Sequence, residues 1–192
     1  MTTRETILGA ALRLLEQEGE ARFSTRAVCT AANVTAPTLY HHFGSADGLL
    51  SAALTEGFRQ LLESKKAAEQ SSDAEAALRE GWDDYVRFAA ERPRLYAAMM
   101  ARFLQGAAIP AAEEGFALLR QQIAALEAEG RLAVEASHAT SVMWAAANAA
   151  ALLHVTAALR AKHLSAPDPW VVVAIRDQAV ASICKPRSEN ET

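Results

Sequence analysis

FSTRAVCTAANVTAPTLYHHFGSADGLL, residues 23–50, reads as two short helices joined by a tight turn and followed by the start of a third. Ser24 is an N-cap residue type ahead of a short apolar period, Ala27, Val28 and Ala31. Asn33 is among the few non-glycine residues that tolerate the left-handed conformation with which a helix ends abruptly, which places the turn at residues 32–35. Thr35 can cap a second helix with Pro37 in its first turn, where a missing N–H costs nothing. Leu39 and Phe43, four residues apart, share its buried face, and Gly44 stops it.

The second helix leaves Ala36, Pro37, Thr38, Tyr40 and His41 exposed at its start. These are small groups, a hydroxyl and two planar polar side chains, without a long charged residue. A recognition helix lays its N-terminal residues against base edges in the major groove, where small side chains permit close approach and Thr or Pro can meet a thymine methyl. Tyr and His farther along can donate hydrogen bonds to phosphate oxygens. Either residue alone reads as solvated surface; the ordered set points to DNA.

STRAVCTAANV followed by VTAPTLYHHFGSADGLL resembles the DNA-binding domain of the TetR family of transcriptional repressors, and the match runs from Arg4 to Phe58. The resemblance implies phosphate binding by Ser24 and Thr25, and a recognition surface of Thr35, Ala36, Pro37, Thr38, Tyr40, His41 and His42. Two positions depart from the family pattern: Asn33 replaces the usual turn glycine, and Ala46 replaces a usual lysine that contacts phosphate.

The 192 residues, 51% hydrophobic and 22% charged, fit one or two folded domains and exclude a disordered chain. The net charge of −4 does not favour nucleic acid. Within residues 1–50, Arg4, Arg13, Arg22 and Arg26 face Glu5, Glu16, Glu18, Glu20 and Asp47, and the first lysine is Lys65. Phosphate contacts should therefore be few and non-specific affinity weak. Cys29 and Cys184, without metal spacing, suit a reducing compartment and small packing roles. The first 20 residues lack a signal-peptide pattern; Ile7, Ala11, Leu14 and Leu15 form a helical stripe instead, so a cytoplasmic location is expected. Thr2 or Thr3 can cap this helix, and Arg4 lies where an N-terminal arm meets a duplex or solvent.

A long helix from Ser45 carries Leu50, Leu54, Phe58, Leu61 and Leu62 up to a polar joint at residues 63–73. The predicted organisation is a helix-turn-helix domain at 1–50, a helical effector-binding and dimerisation domain at 51–184, and a disordered tail at 185–192. The fold class is all-α: a three-helix DNA-binding domain followed by a helical bundle. Further helices are expected over residues 74–91, from Pro93, over 109–129 up to Gly130, over 136–159, and from Asp168 and Pro169 onward.

The aromatic and Met residues of this bundle are mostly core by type, yet their concentration marks an interior able to hold an apolar or aromatic effector. The candidate lining is Trp82, Tyr85, Phe88, Tyr96, Met99, Met100, Phe103, Phe116, Trp144 and Asn148. The family resemblance implies an effector pocket in this region. Residues 136–159 contain no Asp, Glu, Lys or Arg and match a bilayer crossing in length. Interrupting polar residues such as Ser137, His138, Asn148 and His154, with alanine as the main apolar residue, argue for a buried helix instead. Ala147, Ala150, Ala151 and Ala158 would allow close approach at a subunit interface, and the resemblance implies a homodimer through the last two helices.

Glu135 and His138 form a lone Glu-x-x-His pair without the further ligands of a dimetal bundle, and phosphate loops and nucleophile elbows are missing from the sequence. The expected function is a ligand-responsive repressor of a palindromic double-stranded operator, with no enzymatic activity, cofactor, metal or membrane partner. Two alternatives stay open: a constitutive DNA-binding protein without an effector, and a helical small-molecule-binding protein.

Overall fold

Thr2 starts the first helix through a reciprocal cap: its side chain accepts from the Glu5 N–H, and its own N–H donates to the Glu5 carboxylate. This computed structural model describes residues 2–67, 71–107, 109–160 and 164–186. The regular elements among them are helices, numbered α1 to α9 in chain order: α1 Thr3–Glu18, α2 Thr25–Ala32, α3 Ala36–Phe43, α4 Ala46–Ala67, α5 Ala74–Glu91, α6 Pro93–Leu104, α7 Pro110–Ala128, α8 Ala136–Leu159 and α9 Pro169–Ile183. A 3-10 turn, Glu20–Arg22, links α1 to α2. The chain divides into two compact units, residues 1–64 with 91–113, and residues 65–90 with 114–192.

The N-terminal unit is built on the apolar stripe of α1, where Ile7, Ala11 and Leu15 are fully buried together with Val28 of α2, Leu39 of α3, and Leu49 and Leu54 of α4. Helix α6 packs on α1 in the same unit. Leu95 of α6 is buried at a point where Gly57 of α4 has no side chain, and a Cβ there would stand 2.6 Å from the Leu95 Cδ2 and 3.1 Å from the Leu12 Cδ1. Two ion pairs fasten this helix at its ends: Arg92 with Glu16 at 3.2 Å, and Arg102 with Asp47 at 2.6 Å. Arg102 also donates to the Ser51 hydroxyl. The long helix α4 is thus not alone in serving the N-terminal segment.

Arg102 holds the Asp47 carboxyl below the ordinary aspartate range by its hydrogen bond and its charge. A carboxylate with a depressed folded-state pKa contributes stability above its unfolded value, about 4, and loses it as pH falls through the folded one. Wild type and Asp47→Asn are therefore expected to differ in melting temperature at neutral pH and to converge in acid, once the carboxylate is protonated in the folded state. Thermal melts across a pH series check this; a constant difference at every pH would assign Asp47 no charge-dependent role.

In the C-terminal unit, one buried cluster joins Leu78, Trp82 and Val86 of α5, Ile123 and Leu126 of α7, Ala139, Met143, Ala147 and Ala150 of α8, and Val180 and Ile183 of α9. Helices α8 and α9 pack together. Around this core, Arg131 pairs with Asp73 at 3.2 Å and with Glu75, Arg79 pairs with Glu75 and Asp177, and Arg176 pairs with Asp83 at 2.6 Å. The backbone of the α7–α8 connection also meets the end of α9, with Leu132 and Cys184 forming an isolated bridge.

Several expectations need correction. Helix α4 continues through Ala67 into the polar joint predicted at residues 63–73, carried across Glu63 by Arg59, which pairs with both Glu56 and Glu63. Ala147, Ala150 and Ala151 are buried inside the protomer, the first and second of them in the α5–α7–α8–α9 core, so this small-residue face is already occupied and only Ala158 of the four is exposed. Cys184 lies just past α9 as its C-cap, buried, with its thiol pushed up first by that burial. The tail expected to be disordered, 185–192, falls from residue 187 onward outside the described residues.

Candidate functional site

The Ser24 Oγ accepts the Ala27 N–H at 3.2 Å and starts α2, as its residue type predicts. Asn33 ends α2 in the left-handed region, at φ 53° and ψ 49°, while the Val34 N–H donates back to the Cys29 carbonyl at 3.0 Å. The chain therefore turns within residues 32–35, and Thr35 caps α3: its Oγ1 stands 2.9 Å from the Thr38 Oγ1 and 3.5 Å from the Thr38 N–H. Pro37 occupies the first turn of α3 and Leu39 anchors it in the core. At its end the Gly44 N–H donates to the Tyr40 carbonyl at 2.8 Å. Ser45 then caps α4 by accepting the Gly48 N–H at 2.9 Å.

With Leu39 turned inward, the face of α3 left to solvent carries Thr35, Ala36, Pro37, Tyr40 and His41, with Thr38 and His42 half-buried. Tyr40 keeps 43% of its surface exposed, a high value for an aromatic side chain. The rings of His41 and His42 meet edge to face at 5.3 Å. Ser24 is exposed and Thr25 half-buried at the start of α2. Between the two helices runs a groove of about 520 Å³ lined by Thr25, Arg26, Cys29, Thr30, Asn33, Val34, Thr35 and Ala36. Thr25, Thr35 and Ala36 thus come together, all three at helix N-termini whose N–H groups and dipoles favour phosphate.

Sequence reasoning passed over Arg26, which borders the same groove, is exposed and makes no ion pair among the described residues. Its only signal is position, one residue beyond the Ser-Thr pair of the motif. The other N-terminal arginines are differently placed. Arg22 pairs with Glu18 at 3.0 Å, and the Arg4 guanidinium lies over the Phe43 ring at 5.2 Å. Arg4 thereby ties the start of α1 to the end of α3.

The ten candidate effector residues do not gather in one place. Trp82, Tyr85, Phe88, Phe116, Trp144 and Asn148 belong to the C-terminal unit, and Tyr96, Met99, Met100 and Phe103 to the N-terminal one. Trp82 is in the C-terminal core with Tyr85 packed against it, and the Tyr85 hydroxyl donates to the Asn148 Oδ1 at 3.0 Å. The Asn148 Nδ2 donates in turn to the Trp144 carbonyl at 2.7 Å. Phe88, Tyr96 and Met99 are buried and Met100 half-buried, whereas Phe103, Phe116 and Trp144 are exposed. The Arg120 guanidinium covers the Phe116 ring at 5.2 Å. Burial holds His154 below the usual imidazole range, so its ring is neutral near pH 7.

Helices α8 and α9 expose Trp144, Leu152, Leu159, Trp170, Val171 and Val173. Leu152 is 58% and Trp170 74% accessible. Helix α8 has the length and composition of a membrane span, with mean hydropathy 1.5.

Residues 7–53 match the model of the bacterial regulatory proteins of the tetR family. No curated protein matches. Among solved structures, a protein of unknown function from Rhodococcus sp. RHA1 is 26% identical, with 96% of this chain and 97% of that one covered at a TM-score of 0.78. A putative TetR-family transcriptional regulator from Rhodococcus sp. is 18% identical over 93% of this chain and 99% of that one, TM-score 0.72. BioQ, solved with its natural double-stranded DNA operator, is 15% identical over 94% and 99%, TM-score 0.67. These likenesses extend the shared fold over both units.

Proposed function

We propose that this chain, whose residues 7–53 match the model of the bacterial regulatory proteins of the tetR family, is a homodimeric repressor that reads a palindromic operator and is released by a small, largely apolar effector. One observation carries the reading: α3 is capped, anchored by Leu39, and left with Thr35, Ala36, Pro37, Tyr40 and His41 facing solvent beside the N-terminus of α2. A helix so equipped can enter a major groove, with Ser24, Thr25 and Arg26 against the flanking phosphates. The BioQ complex supports it, since that protein shares this fold and holds its operator.

A two-fold dimer places two recognition helices about 34–36 Å apart, so that both reach successive major grooves on one face of the duplex. The exposed apolar residues of α8 and α9 supply the self-complementary surface. An effector in the C-terminal unit, bordered by Trp82, Tyr85 and Asn148, acts by favouring a helix separation that no longer matches the operator. It can shift that equilibrium by no more than its differential affinity for the two states. The protein works in the cytoplasm, where its DNA is.

The test is binding to the chain's own upstream intergenic DNA beside an unrelated duplex of equal length, across a salt series. Specific binding with dimer stoichiometry is expected, with a shallow salt slope of about 0.9 per phosphate neutralised. Equal weak binding to both duplexes would move the small-molecule-binding reading to the front. For the docking surface, Thr38→Ala and Tyr40→Phe are each expected to lower operator affinity about tenfold while leaving thermal melting unchanged. Unaltered affinity in both, measured by fluorescence anisotropy, would remove α3 from the interface.

A further inference from the structure

Trp82 is 4% exposed, and its indole Nε1 has no hydrogen-bond partner among the described residues. Tryptophan only donates, and a buried donor without an acceptor destabilises the fold that holds it. A position that needed only bulk would be served by phenylalanine without that penalty. The N–H therefore asks for an acceptor that the core itself does not supply.

The surroundings limit what that acceptor can be. The cluster around Trp82 consists of Leu, Val, Ile, Met and Ala side chains with Cys184, whose thiol is kept protonated by burial. A carboxylate or phosphate placed there would be desolvated in an apolar interior, and the arginines at its edge, Arg79, Arg131 and Arg176, are already paired with Glu75, Asp73, Asp177 and Asp83. Tyr85, one turn along α5 from Trp82, packs on the same cluster and joins Asn148 of α8 through its hydroxyl. This part of the core thus combines apolar packing, a single unpartnered donor at Trp82, and a polar border one helical turn away.

We infer that the effector is an uncharged molecule bearing a hydrogen-bond acceptor, such as a carbonyl, ether or heteroaromatic nitrogen, which takes the Trp82 N–H while its apolar part fills the core between α5 and α8. This rests on the effector reading above and specifies its chemistry. Discrimination follows from the orphan donor: an apolar isostere leaves it unsatisfied, and an anion satisfies it at the cost of its own desolvation.

The experiment uses the full-length protein with acetophenone, ethylbenzene and benzoate as probes, and follows the tryptophan indole N–H signals by nitrogen-15 NMR. The Trp82 signal is identified by its loss in Trp82→Phe, which keeps an aromatic ring and removes the donor. Acetophenone is expected to bind about tenfold more tightly than ethylbenzene and to move the Trp82 N–H proton downfield, and benzoate not to bind. In Trp82→Phe, checked for an unchanged cooperative melt, the preference for the ketone should vanish while ethylbenzene affinity stays within about twofold. Equal binding of ketone and hydrocarbon by the wild type would overturn the acceptor inference and leave the effector reading standing. A preference that survives in Trp82→Phe, or tight benzoate binding, would overturn it likewise. Binding of none of the probes at millimolar concentration would overturn both, and return Trp82 to the packed core.

Discussion

Gly48→Ala is expected to lower the melting temperature of the N-terminal unit by 10 °C or more, on the order of 2–4 kcal/mol. The reason is space. A Cβ at residue 48 would stand 2.2 Å from the carbonyl oxygen of Phe43, and 3.4 Å from the Ser45 Oγ. The obstructing atom is backbone, so no side-chain rotation relieves the collision. That carbonyl accepts the Ser45 N–H at 2.8 Å, in the same junction where Gly44 closes α3 and Ser45 caps α4. Moving it disturbs the end of α3, which Leu39 anchors, and the start of α4. Gly9→Ala is the matched control: its Cβ meets only the Arg13 guanidinium at 3.5 Å, so the change should be neutral or stabilising by about 0.5–1 kcal/mol. Calorimetry on both variants checks the pair. A Gly48→Ala protein that melts like the wild type would show that the α3–α4 junction yields more readily than its hydrogen bonding implies.

Leu152→Glu is expected to separate the proposed dimer, weakening association about a thousandfold. Leu152 is 58% exposed on α8, in a stripe with Ala145, Ala149 and Leu159 that contains no charged residue. If a partner covers this stripe, a two-fold axis brings both copies of the substitution into the interface. A carboxylate in such a setting costs about 2 kcal/mol per copy, or about 4 kcal/mol for the pair, which corresponds to three powers of ten in dissociation constant. The protomer itself should be little affected, because more than half of the side chain is already exposed. Sedimentation velocity over a concentration series reads the association, and far-ultraviolet circular dichroism checks the fold. The monomeric variant should also lose operator affinity, since each recognition helix then binds its half-site alone. An unchanged dimer constant would place the subunit contact on another face.

Helix boundaries were the most legible part of the chain, because they rest on local chemistry. Thr2, Ser24, Thr35 and Asp168 have capping side chains and cap α1, α2, α3 and α9. Asn33 has the one positive φ among the described non-glycine residues, at the turn the sequence assigned to it. Periodicity marks which face of a helix is buried but not what buries it. Leu95 and Tyr96 announce a core face on α6, while its partners, α1 and the bare flank of Gly57, lie far away in sequence. The alanines of α8 illustrate the same limit: small residues permit close packing with any neighbour, and the neighbour is the protomer's own core. The candidate docking surface was legible as an exposed set on α3, but Arg26 was not, since one arginine beside a motif carries no pattern. Nor could composition reveal the Trp82 donor, which is visible only once every nearby acceptor has been located.

The packing of α6 on α1 bears on any exchange of the N-terminal segment between proteins of this fold. A graft that ends after α3 or α4 treats the N-terminal segment as a removable head. Here the compact N-terminal unit is discontinuous, residues 1–64 together with 91–113, and Arg92 and Arg102 reach Glu16 and Asp47 from the second segment. A graft cut from the beginning of the chain alone would leave Leu12 and Gly57 facing a foreign helix with no side chain shaped to fill the gap. The transplantable piece is therefore two-part, and a working hybrid must carry residues 91–113 along with its head.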